Sequence, residues 1–161
     1  MVITPIVNDG RINRSKTTLN KIVAATISLL RKNNNGQIPT AQEIAVKSGV
    51  GIRTVFRHID DMEGLIEEVN RRYLNDLESY IAKNNPKQNS KDQRIEHVIK
   101  ERFYLYNTYQ HVFNLTITSL NNSSAIRTGF IKFNHILRQR FEDLIPEIKM
   151  INKDKQNIID T

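Results

Sequence analysis

The stretch from Thr40 to Leu65, TAQEIAVKSGVGIRTVFRHIDDMEGL, constrains the fold more tightly than any other part of the chain. Thr40 and Glu43 have the spacing of a capping box, in which the Thr hydroxyl takes a backbone N–H of the first turn and the Glu carboxylate reaches back to the cap residue. A helix is therefore predicted from Ala41. Ala45 is small where two helices must approach, and Gly49 stands where the chain leaves that helix through a left-handed conformation that glycine adopts without strain. After a tight turn, Gly51 opens a second short helix with Ile52, Val55 and Ile59 on one side and Arg53 and Arg57, four apart, on the other. Asp60 and Glu63 repeat the capping-box spacing and start a further helix. The pattern is a helix-turn-helix followed by a docking helix, with two arginines placed to meet something anionic.

The charge distribution adds to this. The net charge is +7, and the segment from Arg11 to Asp60 holds nine Lys or Arg against Glu43 and Asp60, while the rest of the chain is neutral. The whole excess surrounds the helix-turn-helix, as expected of a part that faces a polyanion, although a plainly solvated basic face has the same composition. The chain of 161 residues, 39% hydrophobic with six Gly and four Pro, is long enough to bury a core and reads as mostly helical. It has no cysteine, which excludes disulfide staples and thiolate metal sites and suits a reducing compartment. The start, MVITPIVNDGR, has no basic leader with a long apolar run, and no segment approaches membrane-spanning length, so a cytoplasmic protein with no membrane partner is expected.

Met1 to about Gly10 carries no periodic pattern and reads as a mobile tail, and Arg11, Arg14 and Lys16 form either an arm able to reach phosphates or a minor groove, or plain tail. A first helix is predicted over Lys16 to Lys32, with Leu19, Ile22, Val23, Thr26, Leu29 and Leu30 at helical spacing and a stop at Asn33 to Gly36. Leu65, Ile66, Val69, Tyr73, Leu77 and Ile81 mark a long helix to about Lys83, and Asn84 to Lys91 is a polar connector with one Pro. Helices follow at about Lys91 to Asn107, Tyr109 to Leu120 and Ala125 to Ile145. Pro146 ends the last or opens the next, and Ile148, Ile151, Ile158 and Ile159 mark one more amphipathic stretch. Nothing reads as a strand or an internal repeat.

At KIVAATISLL, PTAQEIAVKSGVGIRTVFRHI and DDMEGL, spanning roughly Lys21 to Val69, the chain resembles the DNA-binding domain of TetR-type bacterial transcriptional regulators. The resemblance implies an all-α protein: an N-terminal three-helix helix-turn-helix domain over residues 11–65, joined by a long helix to a helical ligand-binding and dimerisation domain over residues 66–161. NHILRQRFEDLIPEI looks like a penultimate region that many relatives follow with two helices forming the dimer interface, so a truncated or naturally short member is expected. The implied function is a repressor released by a small molecule, with a double-stranded DNA operator and a second copy of the chain as partners and no cofactor. Thr40 would cap its helix and touch phosphate. The helix from Gly51 to His58 would enter the major groove, with Ile52, Thr54 and Phe56 on the interface and Arg53, Arg57 and His58 reaching bases or phosphates. Two departures reduce phosphate contact: Phe56 stands where relatives commonly carry Tyr, and Met62 where many carry Lys. Arg57, His58 and the N–H groups of the helix start would offset the loss, and affinity weaker than in a relative with both contacts is expected.

In the second domain the aromatic residues are expected to be mostly core. A cavity for an apolar or aromatic effector, implied by the resemblance, would be lined by Phe103, Tyr106, Tyr109, Phe113, Phe130 and Phe133. Arg127, Arg138 and Arg140 are expected to be solvated, with an anionic effector as the alternative. His97, His111 and His135 lack metal-ligand spacing, and no nucleophile motif, phosphate-binding Gly loop or paired catalytic carboxylate is present, so no enzyme is expected. A rival reading keeps the helix-turn-helix for protein contacts with little DNA binding.

Overall fold

A computed structural model describes residues 10–59, 62–86 and 90–148. Among these residues there are seven helices and no strand: α1 Gly10–Asn33, α2 Ala41–Ser48, α3 Ile52–His58, α4 Met62–Lys83, α5 Lys91–Thr108, α6 Gln110–Ser119 and α7 Ser124–Leu144. The predicted tail before Gly10, Asp60 and the last amphipathic stretch beyond Ile148 lie outside the described residues. No helix described is long and apolar enough to cross a membrane.

Where helix ends are set by local chemistry, they fall where the residues require. Thr40 and Glu43 form the full capping box, and Gly49 closes α2 at φ 67° with its N–H on Ala45 O. Ser90 and Gln93 form a second full box at the start of α5. The Ser123 hydroxyl accepts the Ile126 N–H and opens α7.

Helix α1 starts earlier than expected. It runs from Gly10, so Arg14 and Lys16 belong to a helix and not to an extended arm. No Pro or turn residue interrupts residues 11–16, and the Thr17 and Thr18 hydroxyls donate back to Asn13 O and Arg14 O within the helix. Only from Leu19 onward does α1 turn apolar residues onto the rest of the molecule, with Ile22, Val23, Ala25, Thr26 and Leu30 buried.

Helix α1 packs on α2, α3, α4 and α6, α2 packs on α3, and the most extensive helix pairing is α4 with α7. One apolar cluster runs through these contacts from Ile22, Ile44 and Val55 through Leu65, Val69 and Leu77 to Leu105, Leu115 and Ile126. Each such side chain, fully buried, contributes about 1.5–3 kcal/mol. A smaller cluster joins Val98 to Leu144 and Ile145, with Phe141 and Ile148 against it.

The capping box of Glu63 with Asp60 lies outside the described residues, but Glu63 has a contact that its spacing does not announce. Its carboxylate accepts the Ser124 hydroxyl at 3.0 Å and the Ala125 N–H at 2.9 Å at the start of α7. The Ala125 N–H, first, and the neighbouring Ser hydroxyls hold its pKa below the usual carboxylate range. Beside it, the Asn70 amide donates to Ala125 O at 2.8 Å, and a Cβ on Gly129 would lie 2.5 Å from that amide. A glycine on α7 thus lets α4 and α7 close up.

Candidate nucleic-acid interface

Helix α3 has only seven residues, so its position depends on what it buries. Val55 is fully buried and Ile59, just past its end, nearly so. At 100° per residue Arg53, Phe56 and Arg57 fall together on the opposite side, and all three are exposed. Thr54 and His58 are half-buried on the flank. Ile52, expected beside Val55 on the inner side, is 39% exposed, because the first turn of so short a helix reaches the edge of the core and passes it.

The turn before α3 holds it at a set angle to α2. Val50 N–H reaches Ala45 O and Ser48 Oγ, both at 3.3 Å, and Ser48 Oγ donates to Ala45 O at the same distance. Gly49 needs its left-handed conformation. Gly51 does not: its φ is −59°, and a Cβ added there would meet nothing within 4 Å. Sterics therefore do not require glycine at the exposed start of α3, although Gly51 is a favourable N-cap residue there.

No protein-family model, curated protein or solved structure matches this chain.

Thr40 is exposed at the start of α2, but its hydroxyl is engaged. It donates to Glu43 Oε2 at 2.8 Å and accepts the Glu43 N–H at 3.3 Å, while the Thr40 N–H donates to the same carboxylate oxygen at 2.8 Å. That backbone N–H, then the hydroxyl, lowers the Glu43 pKa. The cap role of Thr40 is thus formed within the chain, and a phosphate would have to use its remaining lone-pair side or displace Glu43. On α1 and α2, the basic residues Arg14, Lys16, Lys21 and Lys47 are exposed. Phe56, which has no phenol hydroxyl, is 57% exposed and presents an apolar ring beside the two arginines.

The residues expected to line an effector cavity separate into two groups. Tyr109, Phe113, Phe130 and Phe133 surround a small cavity between α4, α6 and α7, together with Tyr73, Asn70 and Thr116. Its volume is about 40 Å³, room for little more than a water. Phe103 and Tyr106 do not line it. They are exposed, as are Tyr104 and Phe130, which corrects the expectation that the aromatic residues are mostly core. A larger open groove of about 1160 Å³ lies between α4 and the end of α7, lined by residues of both charge signs such as Glu78, Arg94, His135 and Glu142. None of the six aromatic residues faces that groove.

Several polar contacts in the second half escaped the sequence reading. Tyr73 Oη and His111 Nε2 are 2.7 Å apart and buried at the α4–α6 contact. Burial, with a smaller contribution from Arg31, lowers the His111 pKa to about 4, and burial raises that of Tyr73. Arg140, expected in solvent, is buried: its guanidinium pairs with Glu101 at 3.3 Å and reaches Asn84 O and Asn85 Oδ1. His97 Nε2 lies 3.3 Å from the same Glu101 oxygen without hydrogen-bond geometry. Arg138 pairs with Glu142, and Arg127 reaches Leu120 O and Asn121 O at the end of α6. One signal for the Glu101 pair was available. Glu101 shares a helix face with Val98 and Leu105, and a carboxylate on an apolar face needs a cationic partner. Which cation meets it could not be read from the chain.

Helix α6 also touches the loop between α1 and α2. The Asn114 amide donates to Asn34 O at 3.1 Å and Asn34 Oδ1 at 2.9 Å, and the Thr118 hydroxyl donates to Gly36 O. Gly36 has φ +71°, and a Cβ there would lie 2.7 Å from Asn114 O. The approach requires glycine on both counts.

Proposed function

We propose that this chain is a DNA-binding transcriptional regulator of the TetR type, with α1–α3 as a three-helix helix-turn-helix domain and α3 as the reading helix. The observation that carries the reading is the outer face of α3, where Arg53 and Arg57 are exposed together while Val55 and Ile59 anchor the opposite side. Three further facts support it. The net positive charge of the chain is concentrated in residues 11–60. Gly51 leaves open space at the exposed start of α3, where a partner could approach the backbone closely. The basic first turns of α1 stand clear of the core. On a duplex, Arg53 would read base edges and Arg57 would hold phosphate, with two copies placing two reading helices about 34 Å apart in successive major grooves.

Release by a small apolar effector is the regulatory part of the proposal. The cavity among Tyr109, Phe113, Phe130 and Phe133, at about 40 Å³, is far below the roughly 300 Å³ or more of a typical ligand site. An effector would therefore have to bind an opened form, and it would release DNA only through its higher affinity for that form. One observation favours a second reading, a protein-contact module: Phe56 offers an exposed apolar ring in place of a phosphate donor.

A salt titration of duplex binding separates the two. Log affinity falls with log salt at about −0.9 per neutralised phosphate for a regulator. Arg57→Ala lowers that slope by about one and weakens binding to all sequences, whereas Arg53→Ala relaxes preference at one or two base positions. A flat titration, or no duplex binding at low salt, overturns the proposal and leaves the protein-contact reading.

A further inference from the structure

Asn35 is the one Asn in the chain that precedes a Gly. It is exposed in the turn between α1 and α2, and its side chain is held: the Gln37 N–H donates to Asn35 Oδ1 at 3.1 Å, and Asn35 Nδ2 donates to Gln37 Oε1 at 3.2 Å. This turn brings the side-chain carbonyl over the backbone of the next residue. The bond to Oδ1 also draws electron density from Cγ, which opens that carbon to a nucleophile. The Gly36 N–H, next in the chain, has no hydrogen-bond partner among the described residues. Helix α6 meets Gly36 elsewhere: at its Cα, where Asn114 O and Thr118 crowd a Cβ position, and at its carbonyl, which accepts the Thr118 hydroxyl. Position 36 thus requires glycine, and the fold keeps an Asn–Gly pair at its surface. Two other exposed Asn residues differ. The N–H that follows Asn33 is held by Leu30 O at 3.0 Å, and the N–H that follows Asn122 by Ser119 O at 3.0 Å. A nitrogen so engaged is a poorer nucleophile, because its hydrogen bond must break first.

We infer that Asn35 is a site of spontaneous covalent modification, at which the side-chain amide closes onto Gly36 N and hydrolyses to aspartate and isoaspartate. The reaction balances with water as the only co-reactant. Gly36 N loses its proton to base and bonds to Asn35 Cγ, the Cγ–Nδ2 bond breaks, and ammonia leaves carrying a proton in place of the one lost. Water then opens the cyclic imide at either carbonyl. Breaking the Cγ–N bond gives aspartate, and breaking the original peptide bond gives isoaspartate, whose main chain runs through Cβ. The second product changes the packing. It adds one carbon to the main chain between Asn34 and Gly36, whose carbonyls are both held by α6, through Asn114 at 3.1 Å and through Thr118. A longer path between two fixed points cannot keep both contacts, so the turn loosens from α6. The inference uses no part of the regulator reading.

The test is the ageing of the full chain in mildly alkaline buffer, with each Asn followed by peptide mass mapping and isoaspartate identified by enzymatic methylation of its α-carboxylate. The quantity read is the modification rate at Asn35 relative to Asn122, in the folded chain and in the chain unfolded by urea. Folding raises that ratio by roughly tenfold or more, since only the folded chain engages the Ser123 N–H while leaving the Gly36 N–H open. Asn35→Gln, which would have to close a larger ring, removes the modification at this position and leaves helical content unchanged. A second measurement reads the turn. The isoaspartate form, separated by ion exchange, has a lower thermal midpoint than the variant Asn35→Asp, which has the same charge without the added carbon. An Asn35 amide that survives in the folded chain, a ratio that folding leaves unchanged or lowers, or an isoaspartate form as stable as Asn35→Asp overturns the inference.

Discussion

Two exposed surfaces of this molecule have opposite chemistry. The outer face of α3 carries Arg53 and Arg57 beside one aromatic ring, within the segment that holds the net positive charge. The face of α5 with its continuation on α6 and α7 carries exposed Ile, Phe and Tyr, with Glu96 and Lys100 beside it paired to each other. Their supports differ too. Helix α3 is short and held by Val55, Ile59 and a hydrogen-bonded turn, whereas α5 spans Lys91–Thr108 and is tied to α7 by a buried ion pair. A cationic surface gains from a hydrated polyanion through counterion release, while an apolar one gains only by leaving water. The comparison teaches that two surfaces of one chain can differ in the kind of partner that each would gain from meeting.

The largest way to break this contrast is to remove its structural basis on one side. Arg140→Ala leaves the Glu101 carboxylate buried without its guanidinium and should destabilise the protein by about 3–5 kcal/mol. Denaturation followed by helical content and by tyrosine fluorescence checks this, and it also asks whether both surfaces fail together. All five tyrosines lie between Tyr73 and Tyr109, so fluorescence reports the second half. Because the apolar cluster runs unbroken from α1 to α7, the two probes should give coincident transitions, and separate midpoints would show that the surfaces sit on independently folding units.

A smaller effect comes from pH. The unfolded His111 binds a proton near pH 6.5, but the folded one, buried against Tyr73, does so only near pH 4. Between these values the unfolded state holds more protons, so stability is full above about pH 6.5 and declines as the pH falls toward 4. His111→Gln should remove most of the decline between pH 6.5 and 4.5, above the range in which carboxylates such as Glu43 and Glu63 begin to lose their contributions. Thermal midpoints across that window test it, and an unchanged slope would show that His111 titrates normally.

The smallest effect on the fold, and the sharpest on the contrast, is at Gly51. Gly51→Leu has open space and an ordinary φ, so it should cost no more than about 1 kcal/mol as a poorer N-cap. If α3 reads DNA, duplex affinity should nonetheless drop while helical content stays the same. Affinity equal to wild type would show that α3 does not approach DNA by its N-terminal turn.

Much of the helical framework was legible from residues alone. The bounds of α2, α5, α6 and α7, and the outward side of α3, depend on caps, glycines and spacings within a few positions along the chain, where propensity and hydrogen bonding act directly. The start of α1 was missed because helical hydrogen bonds continue through any run without a breaker, whether or not an apolar face is present.

What only the tertiary structure decided are the pairings across long separations. Glu63 has the spacing of a local cap, and its carboxylate also meets the start of α7, which no spacing along the chain announces. Arg140 reads as a surface cation until α5 brings the Glu101 carboxylate against it. Phe103 and Tyr106 read as core because aromatic residues usually are, and packing instead turned α5 so that Val98, Glu101 and Leu105 face inward. In each case the chain specifies the side chain and its place on a helix, but burial depends on how far neighbouring helices rotate and approach. That is set by the summed packing of the whole cluster and by small residues such as Gly36 and Gly129, and not by any one residue's own preference.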